Sequence, residues 1–144
     1  MSKLFERYQD DVQFLFVYIR EAHPIDGPRP NLRVRVKDPK STSERAKLAK
    51  KFVTDFELNM PVLVDGIDDK VSRAYDARPD RLFLVDAEGN IGYVGNRGPR
   101  GFEPDELEKA ILEELKKLQE ELDAKIQQEA TKKGRPVIPD GLSN

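Results

Sequence analysis

The sequence predicts an α/β domain, a mixed sheet flanked by helices with a long helix at its C-terminal end, and three observations carry that expectation. Val12 to Ile19 is a largely apolar run, rich in β-branched and aromatic residues and with no turn signal inside it, as expected of an interior parallel strand covered on both faces. Stretches of strand period then alternate with stretches of helical period. From Leu107 to Ile126 apolar residues recur at helical spacing. At 144 residues the chain is one domain with a real core. We divide it into a folded domain over 1–118, an extension of the last helix over 119–133 and a tail over 134–144.

Leu4, Phe5 and Tyr8 lie at helical spacing among charged residues and predict the end of an amphipathic helix that feeds the Val12 strand. Polar groups follow that strand at Glu21, His23 and Asp26, where open α/β sheets keep their sites, and His23 is the single histidine. After Pro28 and Pro30, Leu32, Val34 and Val36 alternate with Arg33, Arg35 and Lys37, the period of a charged edge strand. An anion-binding strip is the other reading of that row. Ser41 and Glu44 have capping-box spacing, so a helix begins near Thr42, with Ala46, Ala49, Phe52, Val53 and Phe56 on its apolar face.

Val62 to Val64 reads as a short strand closed by Asp65-Gly66, with Met60 as a core residue before it. Asp68 to Tyr75 reads as a short helix with Val71, Ala74 and Tyr75 facing inward. Arg81 to Asp86 and Asn90 to Gly95 form an antiparallel hairpin, whose loop takes its positive φ at Gly89. The loop NRGPRGF, Asn96 to Phe102, lacks the lysine and strand-to-helix setting of a phosphate loop. Pro104 opens the last helix, which runs to about Lys133 and stops at Gly134. Its stripe of Leu107, Ile111, Leu115, Leu118, Leu122 and Ile126 packs on the sheet as far as Leu118.

Composition excludes several classes. With no cysteine, the 144 residues hold no disulfide, thiolate metal site or thiol nucleophile, and one histidine makes a protein-built zinc site unlike this chain. No metal and no cofactor is expected. A net charge of −2 gives no footprint for nucleic acid, and no apolar run is long enough to span a bilayer. We expect a cytoplasmic protein without nucleic-acid or membrane partners.

The stretch FLFVYIREAHPIDG resembles the segment that follows the catalytic region in the iodothyronine deiodinase family. Further pieces extend the likeness from Leu4 to about Ile111: Asp38-Pro39, Glu44-Arg45 with Ala46, Met60 to Asp65, Ala74-Tyr75, Pro79 to Leu82, and Gly98 to Phe102. The resemblance implies a thioredoxin-like fold and a redoxin-type oxidoreductase ancestry. It also implies that Pro79 stands where such proteins keep a cis-proline facing the active site, and that Glu21 and His23 bind substrate or assist proton transfer.

The same resemblance implies an absence. Family members begin with a strand and a turn that carries selenocysteine or cysteine, whereas this chain starts inside the helix that follows. The expected fold therefore lacks its first strand, which belongs between the Val12 and Arg81 strands. Repaired neighbouring strands, the Val137-Ile138 tail or a second chain would close that gap. An in-frame selenocysteine codon read as a stop, or deliberate trimming, would explain the start at Met1. Pro28 and Arg100 stand where the family has aromatic residues, which argues against an aromatic-lined pocket.

Two functions follow. The first is a deiodinase-like domain without its nucleophile, inactive in redox chemistry, with Glu21, His23 and Pro79 as remnants of the substrate site. The second is a non-catalytic module that forms a homodimer through the last helix or exposed strand edges. Each residue also has a plainer reading: His23 as a strand-end cap, Glu21 in a salt bridge to an arginine such as Arg81, and Pro79 as a trans helix stop.

Overall fold

In the computed structural model, which describes residues 1–33, 35–132 and 134, four helices accompany four short strands. They follow the order α1 (Ser2–Tyr8), β1 (Phe16–Tyr18), α2 (Thr42–Asp55), β2 (Val62–Val64), α3 (Lys70–Ala74), β3 (Phe83–Val85), β4 (Ile91–Val94) and α4 (Pro104–Lys132). The class is mixed α/β with a long last helix, as expected. The strands form two separate pairs: β1 beside β2 in parallel, and β3 beside β4 antiparallel.

The Val12 run yields a much shorter strand than its composition suggests, and among the described residues β1 is paired on one edge alone. Its register sets Phe16 against Val62 and Tyr18 against Val64. The Phe16 amide donates to the Pro61 carbonyl and the Asp65 amide to the Tyr18 carbonyl, so the peptide groups of Val17 point away from β2. In the hairpin the Gly95 amide donates to the Leu82 carbonyl, which turns the peptide groups of Phe83 away from β4. These two outward positions mark the edges of the two sheets that no described strand pairs.

One core joins the ends of the chain. Leu4 and Tyr8 of α1, Phe14, Leu82, and Leu107 and Ile111 of α4 are buried together, with Leu84, Tyr93 and Leu115 packed against them. The Tyr8 hydroxyl donates to Glu108 at 2.8 Å, and Arg7 pairs with the same carboxylate, which clamps α1 to α4. Beyond Leu118, Leu122 and Ile126 are 51% and 57% exposed, so the last turns leave the sheet as the stripe predicts.

On the other side, α2 covers β1 and β2. Its start follows the capping spacing, since Ser41 Oγ accepts from the Glu44 amide at 3.2 Å, while Glu44 reaches back to the Lys40 amide at 2.7 Å. Phe52 stacks on Phe16 and meets Tyr18 edge-on. Phe56, expected on the apolar face, lies past the helix end and is 63% exposed.

Two expectations are corrected. The described residues around Arg33, Arg35 and Lys37 form no strand: the Arg35 amide bonds the Asn31 carbonyl, Arg35 has a φ of 49°, and the Ile25 amide takes the Val36 carbonyl. Between the prolines at 28, 30 and 39 the Arg33 and Arg35 amides take Asn31 as acceptor in place of a partner strand. In α3 the inward residue is Ser72, whereas Val71 and Tyr75 are about two-fifths exposed. Val34, Lys133 and 135–144, including the Val137-Ile138 tail, lie outside the described residues.

Candidate functional site

β1 ends at Tyr18, and three residues later the chain turns Glu21 back onto it, so that the Tyr18 hydroxyl donates to Glu21 Oε1. The phenol is half-buried. Burial first, then the bond to the Glu21 carboxylate, push it well above the usual tyrosine range against a smaller opposing pull from the Arg45 guanidinium. The phenol thus stays a proton donor, and its bond holds the Glu21 side chain against the strand end. The salt bridge to Arg81 considered for Glu21 is not the contact formed; Arg81 bonds the Gly95 carbonyl at 2.7 Å and Asp76 at 3.3 Å.

A second tie reaches Glu21 from far along the chain. Arg78 Nη2 donates to the Glu21 carbonyl at 3.3 Å, and the bond from Arg78 to Pro79 is cis. The loop after β1 and the loop before β3 therefore meet, bringing Glu21 close to the residue preceding Pro79. Gly98-Pro99 is also cis, which the sequence reading did not foresee.

His23 takes another direction. It is exposed, its Nδ1 lies 3.0 Å from the Arg29 carbonyl, and its own carbonyl accepts from the Asn31 amide at 3.0 Å. The imidazole thus braces the 24–30 turn with one nitrogen. Farther on, Asp26 accepts from the Asp38 amide at 2.9 Å, and Arg20 pairs with Asp38 at 2.6 Å.

The glycine-rich loop folds against the same region. The Gly98 amide donates to the Asp80 carbonyl at 2.9 Å, and Arg97 clasps the Asp76 carboxylate. Gly101 is dictated by close approach, because a Cβ there would lie 2.7 Å from the Arg97 carbonyl oxygen. These bonds give the loop a structural task beside Pro79. Two arginines, 81 and 97, share Asp76 at its rim.

Behind the site lies a buried polar hub that sequence reasoning missed. Arg45 and Asp65 are each 1% exposed. Arg45 donates to the carbonyls of Asp65 and Gly66 and to Asp69 Oδ1 at 2.8 Å, and the Asp65 carboxylate accepts from the Val71 and Ser72 amides, holding the start of α3. Tyr18 was read as a strand residue and Arg78 not at all. A tyrosine three residues before a carboxylate at a strand end was the one local signal available. Among the described residues no group of three or more His, Cys, Asp or Glu is placed to hold a metal ion, and no helix is long and apolar enough to cross a membrane.

At the end of a parallel strand the Tyr18 phenol donates to Glu21, whose carbonyl takes a bond from the residue before cis Pro79, in a mixed α/β protein. The profile of the family "Iodothyronine deiodinase" matches residues 1–116. The chain belongs to the iodothyronine deiodinase family. It is 32% identical over 115 residues to type I iodothyronine deiodinase of Xenopus laevis, across 80% of this chain and 44% of that protein. It is 33% identical over 107 residues to thyroxine 5-deiodinase of Ovis aries, across 74% of this chain and 36% of that protein. With type II iodothyronine deiodinase of Neoceratodus forsteri the identity is 36% over 103 residues, across 67% and 38% of the two chains. The chain thus spans less than half the length of these curated relatives.

Proposed function

We propose that these residues form the substrate-side part of a thioredoxin-like oxidoreductase domain of the deiodinase kind, and that this polypeptide carries no redox turnover of its own. The observation that carries the reading is the Tyr18–Glu21–Arg78 connection beside the cis Pro79, in a chain of this family. The outward peptide groups of Val17 and Phe83 suit a further strand between the two pairs, which would join them into one sheet.

Replacing carbon-bound iodine by hydrogen consumes two electrons and one proton and releases iodide. Glu21 with Tyr18 is suited to the proton, and His23, with one nitrogen engaged and the ring exposed, to a substrate contact. The electrons need a thiolate or selenolate, and the 144 residues contain no cysteine.

Titrating the isotopically labelled chain with thyroxine and following its amide resonances tests the substrate side. Shifts centred on Glu21 to His23 and on Arg78 to Asp80 are expected; shifts confined to the β3–β4 hairpin, or none, would overturn the assignment. A homodimer along α4 is the second reading. It rests on exposed Leu122 and Ile126 alone, whereas the family match and the built site favour the first.

A further inference from the structure

Arg45 is an expensive residue to bury. A charge taken out of water costs several kcal/mol unless it is well paired, and an apolar side chain of similar size is often the cheaper filler. Yet the side chain is 1% exposed, its Nε has no partner among the described residues, and its other nitrogens reach three acceptors in the turn after β2.

Those acceptors sit directly behind the site. Asp65, whose carbonyl Arg45 binds, donates its own amide to the Tyr18 carbonyl at 3.0 Å. Phe52, two helical turns along α2 from Arg45 and on the same face, meets the Tyr18 ring edge-on at 5.6 Å. Tyr18 is thus held by α2 through its ring and, by way of Asp65, through its backbone. Its hydroxyl donates to Glu21.

We propose that Arg45 is a positioning residue for the Tyr18–Glu21 pair: by fixing the Asp65–Asp69 turn it sets where the Tyr18 phenol stands. The guanidinium also places a fixed positive charge near that phenol, which accounts for its opposing pull on the Tyr18 proton. Asp69, with a φ of 53°, supplies the counter-charge from the same turn. This inference builds on the reading of Tyr18 and Glu21 as the proton-handling pair.

The test follows the Tyr18 ring resonances in the full chain labelled with carbon-13 tyrosine, assigned by their loss in Tyr18→Phe. In Arg45→Met these resonances move by more than a linewidth, and in Arg45→Lys they return part of the way to their native positions. Leu107→Ala, which thins the core formed with α4, leaves them in place although it lowers stability. If Arg45→Met does not fold, Arg45→Lys alone decides, since a single ammonium nitrogen replaces the two that reach the carbonyls and Asp69 and must shift the ring. Unmoved resonances in the Arg45 variants, or equal movement in Leu107→Ala, would overturn the proposal. Because the readout needs no ligand, its failure is distinct from a failure of thyroxine to reach the site.

Discussion

Arg78 donates to the carbonyl oxygen of Glu21 at 3.3 Å, tying the end of the parallel pair to the residue before cis Pro79. The bond is long and its donor exposed, so its worth is positional. Arg78→Met should cost less than about 1 kcal/mol in denaturant unfolding. It should nevertheless speed amide hydrogen exchange at Glu21 to His23 while leaving α4 unchanged.

Asp65 contributes more to stability, because its buried carboxylate takes two amides at the start of α3. Asp65→Ala leaves both without that acceptor and should cost about 1–3 kcal/mol. Urea unfolding measures the loss, and Asp65→Asn, which keeps one acceptor oxygen, should fall between the two.

The last helix should show a steep gradient. Ile111, 1% exposed, meets the common core, and Ile111→Ala should cost about 2–5 kcal/mol. Leu122→Ala and Ile126→Ala, beyond the sheet, should stay within about 0.5 kcal/mol. A large loss at Leu122 that depends on protein concentration would instead reveal pairing along α4.

The pH dependence follows from groups shifted in opposite directions. Bonds from Tyr8 and Arg7 lower Glu108, and the bond from Arg97 chiefly lowers Asp76. Each favours the folded state above the unfolded carboxylate value, about 4, and loses that contribution as pH falls through its lower folded value. Tyr18 is raised, so its contribution is complete below the unfolded tyrosine value, about 10, and fades as pH rises above it. The urea midpoint should therefore hold level between about pH 5 and 10 as far as these groups govern it. Glu108→Gln should flatten the acid limb.

Local chemistry made much of the fold legible. The Ser41 cap located α2, Gly89 with its φ of 89° located the hairpin turn, and Pro104 opened α4. The alternation from Leu32 to Lys37 misled because a strand needs a partner edge, and there the Asn31 side chain and carbonyl take the amides of Arg33 and Arg35 instead. The family likeness pointed to Glu21, His23 and Pro79; the fold ties Glu21 to Arg78 beside the cis bond and sets His23 on the 24–30 turn. Arg78 and Arg45 were not legible, since their acceptors lie 57 and 20 or more residues away along the chain, and periodicity does not encode such meetings. Tyr18 was hidden by its own strand, whose pattern explains an aromatic residue without a role for its hydroxyl.

Under the proposed function, Glu21 and Tyr18 serve the proton while the 144 residues hold no cysteine to carry the electrons. The most direct measurement is iodide release from thyroxine by the purified chain with excess dithiothreitol, alongside peroxide consumption under the same conditions. Neither should rise above the buffer rate. Protein-dependent iodide release that Glu21→Gln abolishes would contradict the proposed function, since the chain would then be completing the redox step without a thiol or selenol of its own.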